Sequence, residues 1–170
     1  RPTLAAVILQ MAALNLGDPA EFPFVEPPDS RLIHDGYKLL HELQAVDERH
    51  RLTALGRELA KLPIDPRLGR MILAARDEGC LAEVLVIAAG LAIQDPRERP
   101  LEVQQAADQQ HRRFRDERSD FLALLRLWDW WQAQGRRLSK SKLRELAKAS
   151  FLSYVRMREW RELHGQLVEV

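Results

Sequence analysis

Arginine and lysine crowd the later part of the chain, and their chemistry is phosphate binding. Between Arg136 and Lys148 stand Arg136, Arg137, Lys140, Lys142, Arg144 and Lys148 against one acid, Glu145, a balance of +5 in 13 residues. A second group, Arg112, Arg113, Arg115 and Arg118, is diluted by Asp116 and Glu117. A third, Arg156, Arg158 and Arg161, lies near the end. The guanidinium group offers a planar fork of donors suited to phosphate oxygens. Each phosphate neutralised adds about 0.9 to the salt slope of binding for a duplex, about 0.7 for a single strand. A solvated helix face produces the same charge run, so the pattern alone leaves both readings open. Composition adds direction. Residues 1–100 carry 12 Lys/Arg and 15 Asp/Glu, a balance of −3, while residues 101–170 carry 14 and 10, a balance of +4. If a polyanion is bound, the second part touches it.

Other chemistry finds little support. Tryptophan rings stack bases at ~1–3 kcal/mol each. Trp128 and Trp131, however, continue the Phe121/Leu124 stripe and read as core; Trp130 points elsewhere and is the contact candidate. Of the five histidines (His34, His41, His50, His111, His164), none forms an i, i+4 pair or stands near Cys80 in a ligand spacing. They read as structural or surface residues, and no metal is expected. The single cysteine excludes an internal disulfide and fits a reducing compartment. No G-x-x-x-x-G-K-[ST] loop, G-x-S-x-G elbow or acidic Mg²⁺ box is present. These residues therefore carry no expected catalytic group and no cofactor. The longest apolar run, Leu81 to Ile93, is broken by Glu83 and is well short of the ~20 residues that span a bilayer. The expectation is a cytoplasmic chain without a membrane segment. Both ends, Arg1-Pro2 and Glu169-Val170, read as cuts through a longer protein.

The elements that position these residues are mostly helical. Thr3 caps a helix from Leu4 to about Leu16, with Leu4, Val7, Ile8, Met11 and Leu14 as its stripe and Gly17 as its stop. A proline-rich connector follows, anchored by Phe22 and Phe24. Asp29 or Ser30 opens a helix to about Gln44, with Ile33, Gly36, Tyr37 and Leu40 inward. Residues 45–47 and 50–52 flank Glu48-Arg49 as a short β-hairpin candidate. Thr53 caps a helix from Ala54 to Leu62, which stops at Pro63. Asp65 caps the next, with Pro66 at its first position, where a missing N–H costs nothing. Leu68, Met71, Ile72 and Ala75 form its apolar face, and Gly79 ends it. Leu81–Gln94 is apolar on most sides and so central. Asp95 to Pro100 is a break, and residues 101–118 are weakly helical. Ser119 caps Asp120 to Gln134, with Phe121, Leu124, Leu125 and Trp128 inward and Gly135 as stop. Ser139 or Ser141 opens another helix. The last runs from about Ala149 to Leu167, with Leu152, Val155, Trp160, Leu163 and Leu167 on one side.

The elbow Leu52–Cys80, LTALGRELAKLPIDPRLGRMILAARDEGC, resembles the C-terminal region of DEAH-box RNA helicases, where a winged-helix domain joins a ratchet-like helical domain. Leu4 to Leu16 with Phe22-Pro23-Phe24-Val25, Asp35-Gly36 through Leu43, and Ser119-Asp120-Phe121-Leu122 resemble other stretches of the same region. Tyr154 to Trp160, with Arg156 and Arg158, resembles the family's bacterial branch. The resemblance covers nearly the whole chain and is most specific from Thr53 to Cys80.

It implies a mainly α protein: a winged-helix domain with a small β-hairpin over residues 1–65, then a ratchet-like helical bundle over 66–170. It implies an accessory module that packs on upstream motor domains and holds single-stranded RNA by its backbone, while ATP and Mg²⁺ belong to the motor of the parent protein. Arg112, Arg113, Arg115, Arg118, Arg136, Arg137, Lys140, Lys142, Arg156 and Arg158 are the expected RNA contacts. Two other readings stay open. One is that the first part serves as a protein-interaction platform that barely touches RNA; the other is that the chain is a winged-helix DNA-binding regulator. Against the regulator, residues 1–65 carry 7 basic and 10 acidic residues, and a recognition helix bearing Asp35 and Glu42 would face phosphates badly.

Overall fold

The structure is a computed structural model, and it describes residues 2–170. It is mainly helical. Two compact units divide the chain, one running to Asp77 and the other covering Glu78–Glu169.

In the first unit, α1 (Leu4–Leu14), α2 (Ser30–Glu42), α3 (Ala54–Ala60) and α4 (Pro66–Glu78) surround one apolar centre. Ile8 and Leu9 of α1, Ile33 and Leu40 of α2, Leu59 of α3 and Leu73 of α4 meet there, with Ala45 and Val46 from the connection. Close approach needs glycine at two places. A Cβ on Gly36 would stand 2.7 Å from the Ile8 Cδ1, and one on Gly56 would run into the Ala45 carbonyl. The caps follow the sequence: Thr3, Asp29 and Thr53 each accept a backbone N–H of their helix. The Asp65 carboxylate accepts from the Arg67 N–H at 2.9 Å. Asp65 also accepts from the Thr3 hydroxyl at 3.1 Å, tying the two helix starts together.

Three expectations change here. Helix α1 ends at Leu14, because Asn15 takes the left-handed conformation (φ 57°) that Gly17 was expected to supply. Leu14, expected inward, is exposed. The β-hairpin is reduced to a single antiparallel bridge, Val46 to Leu52, with no longer strand among the described residues. Asp47 explains the economy: its carboxylate accepts both the Arg49 and Arg51 N–H groups at 2.9 Å, so a side chain closes the turn that a ladder would otherwise close.

In the second unit, α5 (Leu81–Ala92) is the central helix, packed against α7 (Asp120–Arg137) and α9 (Tyr154–Glu169). Trp160 of α9 is fully buried and donates its indole N–H to the Val86 carbonyl at 2.9 Å. Gly90 makes room for that ring. Between α5 and α7 lie a short 3₁₀ turn (Leu101–Val103), α6 (Gln104–His111) and a second turn (Arg112–Phe114). Helix α8 (Lys140–Ala149) links α7 to α9.

Here too the helices differ in detail. Helix α7 runs past Gly135 to Arg137, since nothing crowds an interior glycine and Leu138 first leaves helical geometry. Its buried face is Ala123, Leu124, Leu127 and Trp131. Phe121 lies about 100° around the helix from the middle of that face and is 45% exposed, not inward. Helix α9 starts at Tyr154, not Ala149, and residues 150–153 form a tight loop in which Phe151 adopts a left-handed φ of 53°. Its buried residues are Met157, Trp160 and Leu167, while Val155 is exposed.

Candidate nucleic-acid interface

The α7–α8 elbow follows from local chemistry. Helix α7 ends at Arg137, and Ser139 caps α8 by accepting the Lys142 N–H at 3.3 Å. Two residues therefore separate the helices, and Arg136, Arg137, Lys140 and Lys142 are gathered around one corner. All four are exposed, and none has an ion-pair partner among the described residues. Lysine in the first turn of α8 opposes the helix dipole, which favours anions at that end. The corner thus carries four cations without an ion-pair partner among the described residues. Arg144, one turn further on, lies 5.2 Å over the Tyr154 ring.

The arginines before α7 divide sharply. Arg113 places its guanidinium 4.4 Å over the Trp130 ring and 4.9 Å over Phe114, and donates to the buried Ser150 hydroxyl at 2.8 Å. Burial holds its pKa below the usual arginine value. Trp130, the expected stacking surface, is therefore half-buried, with the Arg113 cation over its ring and Phe114 tilted beside it. Trp128 packs on Trp160 and His164, and Trp131 is buried, as their stripe implied. Arg118 makes a fork on Asp116 with distances of 3.2 and 3.1 Å, and Arg126 reaches the same carboxylate at 2.9 Å. The Arg118 hydrogen bonds lead in holding the Asp116 pKa down to about 2. The Asp116 side chain is only 3% exposed, so it anchors both arginines.

Arg112 and Arg115 remain without ion-pair partners among the described residues, and both face an open cleft of about 520 Å³. One of its other walls is the stretch Asp95 to Pro100, which the sequence marks only as a break. The strap Asp95–Pro100 is tied to the loop before α9: Glu98 donates its N–H to the Phe151 carbonyl and Ser153 to the Pro96 carbonyl, both at 2.8 Å. His111 Nε2 meets the same Phe151 oxygen at 2.8 Å, and since a carbonyl only accepts, that nitrogen carries the proton. Arg97 forks onto Asp95 at 3.0 Å, and Arg99 onto Asp108 at 2.7 and 2.9 Å. The Arg99 hydrogen bonds lower the Asp108 pKa. Arg156 donates to the Asp95 carbonyl at 3.1 Å, and Arg158 pairs with Glu162 at 3.6 Å.

The ten expected contacts are thus of two kinds. Arg113, Arg118, Arg156 and Arg158 must each give up an internal partner to bind phosphate; Arg112, Arg115, Arg136, Arg137, Lys140 and Lys142 need not. Sequence reasoning passed over Arg97, Arg99 and Asp120 on the cleft wall. Only the arginine content of the 95–100 break signalled the first two. No group of three or more His, Cys, Asp or Glu residues able to hold a metal ion occurs among the described residues. No helix among them is long and apolar enough to cross a membrane.

Comparison with known proteins matches the chain to a family. The winged-helix part of the helicase-associated domain (HA2) matches residues 37–64, and the ratchet-like part matches residues 65–124. Both are accessory domains, distinct from a catalytic motor. The chain is 52% identical over its whole length to the ATP-dependent RNA helicase HrpA of Escherichia coli K12, covering 14% of that protein. It is 51% identical over 98% of its length to the HrpA homolog of Haemophilus influenzae, covering 13% of it. The splicing helicase prp22 of Schizosaccharomyces pombe is 34% identical over 78% of the chain, which covers 11% of that protein. The chain thus spans about one seventh of the length of the first of these relatives.

Proposed function

Because the chain belongs to the helicase-associated (HA2) region of the HrpA-like DEAH-box RNA helicases, we propose that it grips single-stranded RNA by its backbone for motor domains outside these 170 residues. On this reading it contributes electrostatic hold and rigid geometry and makes no bond. ATP and Mg²⁺ belong to the motor, and the compartment is the cytoplasm. Residues 1–65 act as the winged-helix part, with the turn closed by the Val46–Leu52 bridge in place of a longer wing, and residues 66–170 as the ratchet-like part.

The supporting observation is the α7–α8 corner, where Arg136, Arg137, Lys140 and Lys142 are exposed and have no ion-pair partner among the described residues. Contacts of that kind give affinity without sequence choice. The first unit favours a different partner. Val7, Met11, Leu14, Leu16, Phe22 and Phe24 line an apolar groove of about 340 Å³, which suits docking on protein, and the motor domains of the same protein are the proposed occupant.

Fluorescence anisotropy with a labelled single-stranded RNA at 50 and 200 mM salt tests the grip. Four phosphate contacts at about 0.7 each give a slope of about 2.8, so removing them abolishes roughly fifty-fold of salt sensitivity between those concentrations. Combined Arg136→Glu, Arg137→Glu, Lys140→Glu and Lys142→Glu changes are expected to remove at least that much. Unchanged binding after the reversal refutes the patch.

A further inference from the structure

The cleft beside α6 holds three charged side chains without an ion-pair partner among the described residues. Arg97 and Arg99 are locked in forks with Asp95 and Asp108. Arg112, Arg115 and Asp120 line the same space and have no ion-pair or side-chain hydrogen-bond partner among the described residues. The volume, about 520 Å³, lies in the roughly 300–1,000 Å³ range of sites that enclose a small ligand. Two free guanidinium groups suit one phosphate diester. A carboxylate lining the same cleft is a poor element for a site that binds phosphate alone, because it repels the ligand. An ionised carboxylate only accepts hydrogen bonds, so its proper partner is a donor carried close to a phosphate. In a nucleic-acid strand the ribose 2′-hydroxyl is such a donor, and DNA lacks it.

We propose that this cleft is a ribonucleotide subsite in which Arg112 and Arg115 hold a backbone phosphate while the Asp120 carboxylate accepts a hydrogen bond from the 2′-hydroxyl. The inference rests on the RNA-gripping reading and adds to it a source of discrimination between RNA and DNA. The α7–α8 corner supplies charge to either polymer; Asp120 rejects the one without the hydroxyl. The strap and the His111 contact to Phe151 fix the walls, so the three groups face a preformed space.

The test compares labelled U12 RNA with the dU12 strand, which has the same bases, including no exocyclic amine, and differs in the sugar hydroxyl. Anisotropy titrations use the full chain. The unaltered chain is expected to bind U12 roughly 10–150-fold more tightly, as one hydrogen bond to a charged acceptor provides. Asp120→Ala brings that ratio to about 1 without weakening dU12. Asp120→Ser, which keeps a residue suited to the first helical turn, repeats the arm, and retained dU12 affinity reports a folded site in both. Combined Arg112→Ala and Arg115→Ala weakens both strands alike and lowers the salt slope by about 0.7 for the one phosphate lost. A ratio near 1 in the unaltered chain, or one that neither Asp120 variant moves, overturns the subsite while leaving the corner patch standing. Failure of the unaltered chain to bind either strand overturns the RNA-gripping reading itself.

Discussion

Alanine at Gly90 and alanine at Gly165 are expected to change stability in opposite directions, although both glycines lie inside helices of the second unit. Elsewhere in a helix the exchange gains about 1 kcal/mol of propensity. At Gly165 a Cβ meets nothing within 4 Å, so a stabilisation of about 0.5–1 kcal/mol follows. At Gly90 the Cβ stands 3.0 Å from the Trp160 Cε2 and Cζ2 atoms and 3.2 Å from Nε1. That ring has no room to retreat: it is fully buried, bonded to the Val86 carbonyl, and flanked by Trp128 with ring centres 5.1 Å apart. Overpacking of this kind costs about 1–3 kcal/mol. Against the propensity gain, Gly90→Ala is left about 0–2 kcal/mol less stable than the unaltered chain. All four tryptophans lie between Trp128 and Trp160, so their fluorescence during urea unfolding reports this unit alone. The midpoint is expected to rise for Gly165→Ala and to fall for Gly90→Ala. Because α5 leads into the strap and α9 follows the loop that ties it, U12 affinity should fall with Gly90→Ala and not with Gly165→Ala. If Gly90→Ala is as stable as Gly165→Ala, close α5–α9 contact is not what fixes this unit, and the rigidity claimed for the cleft loses its basis.

The other expectations concern single side chains. Burial lowers the His164 pKa below 6.5, so its neutral form is the folded one. That contribution is complete above about pH 6.5 and is lost as pH falls below it; His164→Phe, read by tryptophan fluorescence, should flatten that part of the stability profile. Asp116 behaves in the opposite range. Its pKa of about 2 makes its contribution present above the ordinary carboxylate pKa and lost as pH falls from about 4 toward 2. Asp116→Asn should lower the urea midpoint at pH 7 and remove the acid-range loss. Arg113→Ala strips the cation from Trp130 and leaves the buried Ser150 hydroxyl without its donor; a loss of about 1–3 kcal/mol and a changed tryptophan emission maximum should accompany it. Ser139→Ala removes the α8 cap at a cost of about 1 kcal/mol, seen as a lower thermal midpoint.

Local rules carried most of the helix starts. Thr3, Thr53, Ser119 and Ser139 each accept a backbone N–H as their types and positions imply, and Asp65-Pro66 opens α4. Helix ends were read less well. Asn15 did the work expected of Gly17, and Gly135 did not stop α7, because a C-terminus depends on whether a residue takes the left-handed conformation, which several types do. The loop at residues 150–153 interrupts a stretch that local pattern marks as helix, because its cause is distant. Phe151 is held at φ 53° by backbone bonds to a strap about fifty residues earlier and by His111.

What the sequence determined by itself was a mainly helical chain of the helicase-associated kind, with its positive charge concentrated after residue 100. Periodicity, caps and the Leu52–Cys80 elbow are short-range properties, and short-range properties survive in a linear string. Which cations are free was decided only by tertiary structure. Arg113 and Arg112 are neighbours of the same type, yet one is pinned between Trp130 and Ser150 while the other faces open space. Free charge is set by partners that lie far away in the chain, and pairing of that kind has no period to read.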